Sequence, residues 1–343
     1  MSETRQPVAS FAEIHALLPE LPGPDRAAVA AAASREGQLT KPPGALGRLE
    51  ELTQWLCAWQ GQHPPRLARP RVVVFAGNHG VAARGVSAYP AAVTAQMVQN
   101  FIAGGAAINQ LCTQIDADLR VYEMNLDEPT QDFTQGPAMG EQECAHAMAY
   151  GMMAVEPGLD VLCLGEMGIA NTTSGAALAH ALHGGTAADW VGPGTGVAGE
   201  AIQRKIAVVA EGVERHRALR NDPLALLAAL GGRELAAIAG AVLAARLARL
   251  PVLLDGYTCT AAAAALHKLR PDLIDHCQVG HLSAEPAHAR LCAALGKRPV
   301  LDLDMRLGEG TGAALAVQVL KAAIACHGGM ATFAEAGVSG KDG

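Results

Sequence analysis

The chain has 343 residues, of which half are hydrophobic and 3% aromatic, and its net charge is −7. That length allows one large domain or two ordinary ones around a substantial core. The acidic balance and the lack of any Lys/Arg run argue against a nucleic-acid footprint, but leave room for a small anion held by backbone amides and one or two local cations.

Met1–Arg5 is polar and lacks the apolar core of a secretory leader. No run of about 18 strongly apolar residues reads as a membrane span; the apolar segment 238–250 is interrupted by Arg246 and Arg249. The eight cysteines (57, 112, 144, 163, 259, 277, 292, 326) show no CxxC spacing and read as reduced thiols of a cytoplasmic protein.

Residues 1–60 read as helical: 11–18, 25–36 and 46–59 carry helical spacing, punctuated by Pro19, Pro22, Pro42 and Pro43. Gln62-His63-Pro64-Pro65 is the expected boundary. Beyond it the pattern alternates strand, turn and helix. Strands are expected at 71–76, 118–123, 160–164, 251–254, 273–279 and 299–304, with helices at 93–103, 172–183, 234–249 and 284–295. Such alternation predicts an α/β fold with a parallel sheet and helices on both faces. Ligands then bind outside the carboxyl ends of the strands, where most of the polar and glycine-rich clusters fall.

Several of these clusters carry chemistry. Gly165-Glu166-Met167-Gly168-Ile169-Ala170-Asn171-Thr172-Thr173 opens a helix, and Asn171, Thr172 and Thr173 are expected to cap it or donate to a phosphate or ribose. Gly192-Pro193-Gly194-Thr195-Gly196 resembles a phosphate loop but lacks the Lys-Ser/Thr of a P-loop. His79, in Gly77-Asn78-His79-Gly80, is either catalytic or structural. Ser87, Tyr89 and Gln96 are candidates to line a pocket for a flat ring. His281-Leu282-Ser283-Ala284-Glu285-Pro286-Ala287-His288 does not have metal-ligand spacing. Lys41, in Thr40-Lys41-Pro42-Pro43-Gly44, either starts a helix or reaches an anionic ligand. The last strand feeds Arg306-Leu307-Gly308-Glu309-Gly310-Thr311-Gly312 and a further helix, a turn that places one carboxylate among three glycines where a helix N-terminus favours anions.

In this order, KPPGALGRLE (41–50), GNHGV and GVSAYP (77–90), GEMGIANTT (165–173), GPGTG (192–196), LDGYTCTAAA (254–263), HLSAEPAH (281–288), DLDMRLGEGTGAALA (302–316) and MATFAEAGVS (330–339) closely resemble the nicotinate-nucleotide–dimethylbenzimidazole phosphoribosyltransferases of cobalamin biosynthesis. Coverage is essentially the whole chain. Two departures are Asn78, where the family usually has Asp, and Ala170, where it usually has Gly.

The resemblance implies a transfer of phosphoribose from nicotinate mononucleotide to 5,6-dimethylbenzimidazole. The products are α-ribazole 5′-phosphate and nicotinate, with inversion at the anomeric carbon. It implies a homodimer and no metal or organic cofactor. Glu309 matches the catalytic base, and Glu166 is a second carboxylate that binds ribose or shares acid–base work. Gly168, Ala170, Asn171, Thr172, Gly194, Thr195 and Gly196 are expected around the phosphate and ribose, with Lys205 a nearby cation. Ser87, Tyr89, Gln96 and Leu307 are expected at the benzimidazole. The expected organisation is a Rossmann-like catalytic domain at 63–320, with a small helical domain formed by 1–62 and 321–343. The competing readings are a non-catalytic nucleotide-binding regulator, which has no need for Glu309, and transfer to another lower-ligand base. A third reading, a NAD-linked oxidoreductase, lacks the GxGxxG it needs after the first strand.

Overall fold

The computed structural model describes residues 10–339; Met1–Arg5 lies outside them. Five parallel strands form the main sheet: β1 (Pro70–Ala76), β2 (Asp118–Glu123), β3 (Val161–Met167), β4 (Val252–Leu254) and β5 (Cys277–Val279), in the order β2-β1-β3-β4-β5. Every residue of β1 is buried, as expected for a strand covered on both faces. Alternation then divides the core. Val73, Phe75, Leu162, Leu164, Val252 and Leu254 join one cluster, while Val72, Val74, Val161, Cys163 and Leu253 join the other. Helices Glu141–Met152, Asn171–His183, Pro223–Leu230, Arg233–Leu247 and Tyr257–Leu269 contribute to the first layer. Arg48–Gln60, Ala107–Ile115 and Thr311–Gly329 contribute to the second.

Two of the expected strands are corrected by the structure. The expected strand 273–279 begins inside a 3-10 turn, Pro271–Ile274, with proline at its first position and Arg270 bonded to Asp272 at 2.7 Å; only Cys277–Val279 is strand. The expected strand 299–304 is reduced to β7 (Leu301–Asp302). It pairs with β6 (His281–Leu282) in a separate two-stranded ladder instead of extending the main sheet. Asp304, at φ 55, turns the chain out of strand geometry.

The N- and C-terminal segments pack on each other. Arg35 donates to the carbonyls of His327 at 2.7 Å and Met330 at 3.1 Å, and Leu39 bridges Thr332. These contacts support the small helical domain, which we keep as a proposal. Its boundary at 320/321 falls inside the continuous helix Thr311–Gly329. That helix is long and apolar enough to cross a membrane by length and composition, and here its Ala313, Ala316, Val317 and Leu320 are buried against the sheet. The Lys41 ammonium pairs with Glu36 at 2.8 Å and Glu50 at 2.6 Å.

The strand order positions the site. From β1 the chain runs to β2 on one side and then returns to β3 on the other. The switch point therefore lies between the carboxyl ends of β1 and β3, where doubly wound sheets open a crevice.

Candidate active site

A cleft of about 570 Å³, open to solvent, lies beyond the carboxyl ends of the strands. It is lined by Glu166, Gly168, Asn171, Thr172, Gly194, Thr195, Ser283, Glu285, Arg306 and Leu307, among others. Strand β3 ends at Met167, so Glu166 emerges at the cleft floor. The helix Asn171–His183 starts immediately above it. Its cap differs from expectation: the N-cap is Ala170 in left-handed backbone (φ 76), and no side chain caps the helix. Asn171 instead turns its amide to the Glu166 carboxylate. Both groups are buried, and pairing them satisfies Asn171 without the cap.

The Gly192–Gly196 loop is tied down from beneath. Glu285 accepts from the Gly194 amide at 2.7 Å. Lys205 is fully buried and donates to Thr172 Oγ1 at 2.8 Å and to the Gly192 carbonyl at 3.0 Å. Burial lowers its ammonium to about 8. Arg306 donates to the Gly194 carbonyl at 2.9 Å and closes the loop from the opposite wall.

Glu309 lies behind this wall at φ 63, between Gly308 and Gly310 at φ 82 and 80. Its amide donates to the Glu166 carbonyl at 3.1 Å, which places the two carboxylate-bearing segments side by side. The side chain is 4% exposed and its Oε2 is buried without a partner. Burial, and secondarily the Asp255 charge, push this carboxyl up to about 7. Burial, with Asp255, Glu234 and Glu309 nearby, pushes Glu166 to about 8. The helix N-terminus after Glu309 offers no seat for a ligand anion. Asp255 already accepts from Gly310 at 3.1 Å, Gly312 at 2.7 Å and Ala313 at 2.9 Å. An internal carboxylate thus satisfies the positive end of this helix.

Of the residues expected at the site, Glu166, Gly168, Asn171, Thr172, Gly194, Thr195 and Leu307 line the cleft. Ala170, Gly196, Lys205 and Glu309 adjoin lining residues without lining it themselves. Ser87 Oγ lies 3.3 Å from Thr195 Oγ1 at the rim. Tyr89 and Leu307 are exposed apolar groups, at 54% and 56%. Gln96 is exposed on the helix Ala92–Ile102 and outside the lining; that helix touches the cleft loop through Thr94, which accepts from the Ile169 amide at 3.1 Å. Sequence reasoning missed Asp255, Ser283, Glu285 and Arg306. The segment holding Ser283 and Glu285 carries part of the family resemblance and does not have metal-ligand spacing; its proline-broken acidic turn is the signal for a binding role. No group of three or more His, Cys, Asp or Glu suited to a metal occurs among the described residues.

A cleft lined by glycine loops and carboxylates, at the switch point of a doubly wound parallel sheet, is where an α/β enzyme of this architecture binds its substrate. A family model described as phosphoribosyltransferase matches residues 21–338. The chain is 59% identical over 331 residues to the nicotinate-nucleotide–dimethylbenzimidazole phosphoribosyltransferase of Sinorhizobium medicae (strain WSM419), covering 96% of this chain and 98% of that one. It is 58% identical to the enzyme of the same name from Rhizobium meliloti (strain 1021), over 100% of both chains. The crystal structure of CobT from Thermus thermophilus superposes with a TM-score of 0.85 at 46% identity, covering 91% of this chain and 99% of that one. The chain belongs to the nicotinate-nucleotide–dimethylbenzimidazole phosphoribosyltransferase family, and is an enzyme.

Proposed function

We propose that this enzyme transfers phosphoribose from nicotinate mononucleotide to 5,6-dimethylbenzimidazole, with inversion at the anomeric carbon and Glu309 as general base. The observation that carries the reading is Glu309 itself: a buried carboxylate with an unpartnered oxygen, raised to about 7 and held in left-handed backbone. A base poised near the working pH both takes and releases a proton efficiently. Non-glycine residues in that backbone region carry strain that clusters at functional sites. The names of the relatives supply the two substrates.

One nitrogen of the benzimidazole attacks the anomeric carbon while the other gives its proton to Glu309. Nicotinate leaves as the neutral ring nitrogen regains its lone pair, so expulsion needs no acid. Gly168, Ala170, Asn171, Thr172, Gly194, Thr195 and Gly196 hold phosphate and ribose, and Lys205 fixes Thr172 for that task. Glu166, protonated at neutral pH, donates to a ribose hydroxyl. Ser87, Tyr89, Gln96 and Leu307 receive the flat ring at the rim. Holding the two rings in line supplies much of the acceleration. The proposal extends to a cytoplasmic homodimer, which sedimentation checks directly.

The test is a product assay by mass spectrometry with nicotinate mononucleotide and a panel of benzimidazole, adenine and phenolic acceptors. The reading expects α-ribazole 5′-phosphate, with 5,6-dimethylbenzimidazole the preferred acceptor. Failure to form any α-N-riboside sinks it.

A further inference from the structure

His79 is 2% exposed and lies just past the end of β1. Its Nε2 is 2.6 Å from Glu234 Oε1, and its Nδ1 is 3.0 Å from Ser174 Oγ. Glu234 is fully buried at the start of the helix Arg233–Leu247. Ser174, also fully buried, lies in the first turn of the helix that begins at Asn171. The three side chains therefore connect β1, the cleft helix and the helix Arg233–Leu247 through one continuous set of hydrogen bonds. One proton arrangement satisfies both ends: Nε2–H donates to the carboxylate, and the serine hydroxyl donates to Nδ1.

The surroundings are shaped for this set. A Cβ at Gly77 or at Gly232 would overlap the Glu234 carboxylate, and one at Gly232 would also overlap the His79 ring. The ring sits under Gly168: a Cβ there would come within 3.4 Å of Nε2 and crowd the Gly77 carbonyl. The Gly77 amide in turn donates to the Met167 carbonyl at 2.9 Å. None of the three side chains lines the cleft. A buried carboxylate is costly unless hydrogen-bonded; Glu234 Oε2 has no partner, so the bond from the His79 ring to Oε1 is the one that holds this carboxylate.

We propose that His79, anchored by Glu234, is a positioning residue that locks the 168–174 segment through Ser174 and thereby sets nucleotide affinity while leaving the proton transfer at Glu309 untouched. The loop-locking half stands alone; the nucleotide half rests on the proposed function. His79 acts through Ser174 and Gly168 and touches no substrate.

Ser174→Ala removes only a hydroxyl and preserves the fold. Loss of one buried hydrogen bond predicts roughly 5-fold faster amide hydrogen exchange, confined to 168–174, in the ligand-free protein. It also predicts about a 5-fold higher KM for nicotinate mononucleotide, kcat within about twofold, and an unmoved pH midpoint of kcat. Glu234→Gln keeps an acceptor for Nε2–H but no charge, and is expected to change KM in the same direction. Unchanged exchange at 168–174 in Ser174→Ala overturns the lock. Lower kcat at constant KM overturns its link to affinity. If the parent enzyme forms no riboside, the proposed function fails, and the exchange measurement still decides the lock.

Discussion

Ala170 and Glu309 both occupy left-handed backbone, at φ 76 and 63, but for different reasons. At Glu309 the strain accompanies the carboxylate proposed as general base. At Ala170 the strained residue stands where the resemblance leads one to expect glycine, and its methyl is buried in the core beside the cleft. Ala170→Gly is expected to raise stability by about 1 kcal/mol, since the left-handed region costs a non-glycine residue roughly 1–2 kcal/mol, partly offset by the entropy glycine loses on folding. Urea unfolding checks this. Glu309→Gln should also stabilise the protein, in a pH-dependent way. The folded carboxyl is raised to about 7 from 4.5. Protonated, it costs nothing extra below its unfolded value; as pH climbs from about 4.5 to 7 the unfolded chain ionises it first, and stability falls. The glutamine variant is therefore expected to gain about 1–3 kcal/mol at pH 8 and to lose that advantage near pH 4. Glu309 was legible in the sequence because a carboxylate among three glycines has few ordinary explanations. Asp255 was not: its task, capping the helix behind Glu309, exists only once β4 and that helix are brought together.

Among the elements, the strands read most clearly where both faces are buried, as in 71–76 and 160–164. They read worst at the sheet edge, where Pro271 and the Arg270–Asp272 bond redirect an apolar stretch into a turn. The helix caps misled for a local reason: polar residues after Gly168 look like caps, yet Asn171 is spent on Glu166. The close pairing of helices Glu141–Met152 and Arg233–Leu247 depends on Gly151 and Gly240, each facing the other helix's backbone. In an open helix Gly→Ala gains about 1 kcal/mol. Here a Cβ at Gly240 would overlap the Met148 carbonyl, and rigid backbone cannot give way. Overpacking of roughly 1–3 kcal/mol is expected to win, so Gly240→Ala should lower the melting temperature; a rise would show that the two helices are not packed this closely.

For the whole molecule, opposing titrations set the acid–base limits of the fold. Burial lowers His183 to about 4, and His276 and His288 to about 3. A base lowered in the folded state leaves stability intact above its unfolded value near 6.5 and removes it as pH falls. The raised Glu166 and Glu309 act oppositely, and relieve the fold as pH falls from about 8 toward 4.5. Between pH 8 and 6.5 the two carboxyls gain protons while Lys205, lowered to about 8, completes its protonation with a smaller opposing effect, so stability should rise. Below about 4.5 they are spent while the histidines still resist protonation, so it should fall. Urea midpoints at pH 8, 6.5 and 4 are expected to be highest at 6.5. The layered α/β architecture was legible from alternation alone, whereas the joining of 1–62 with 321–343 was legible only through the family resemblance, because residues nearly 300 apart, such as Arg35 and His327, leave no local signal. Glu309 is proposed to take the proton that lets the ring nitrogen attack. The most direct test is steady-state release of nicotinate from nicotinate mononucleotide and 5,6-dimethylbenzimidazole by Glu309→Gln, at saturating substrates and pH 8. A kcat lower by about 100-fold or more is expected, in line with general-base contributions, with nucleotide binding near that of the parent; turnover within a few-fold of the parent would rule Glu309 out as the base.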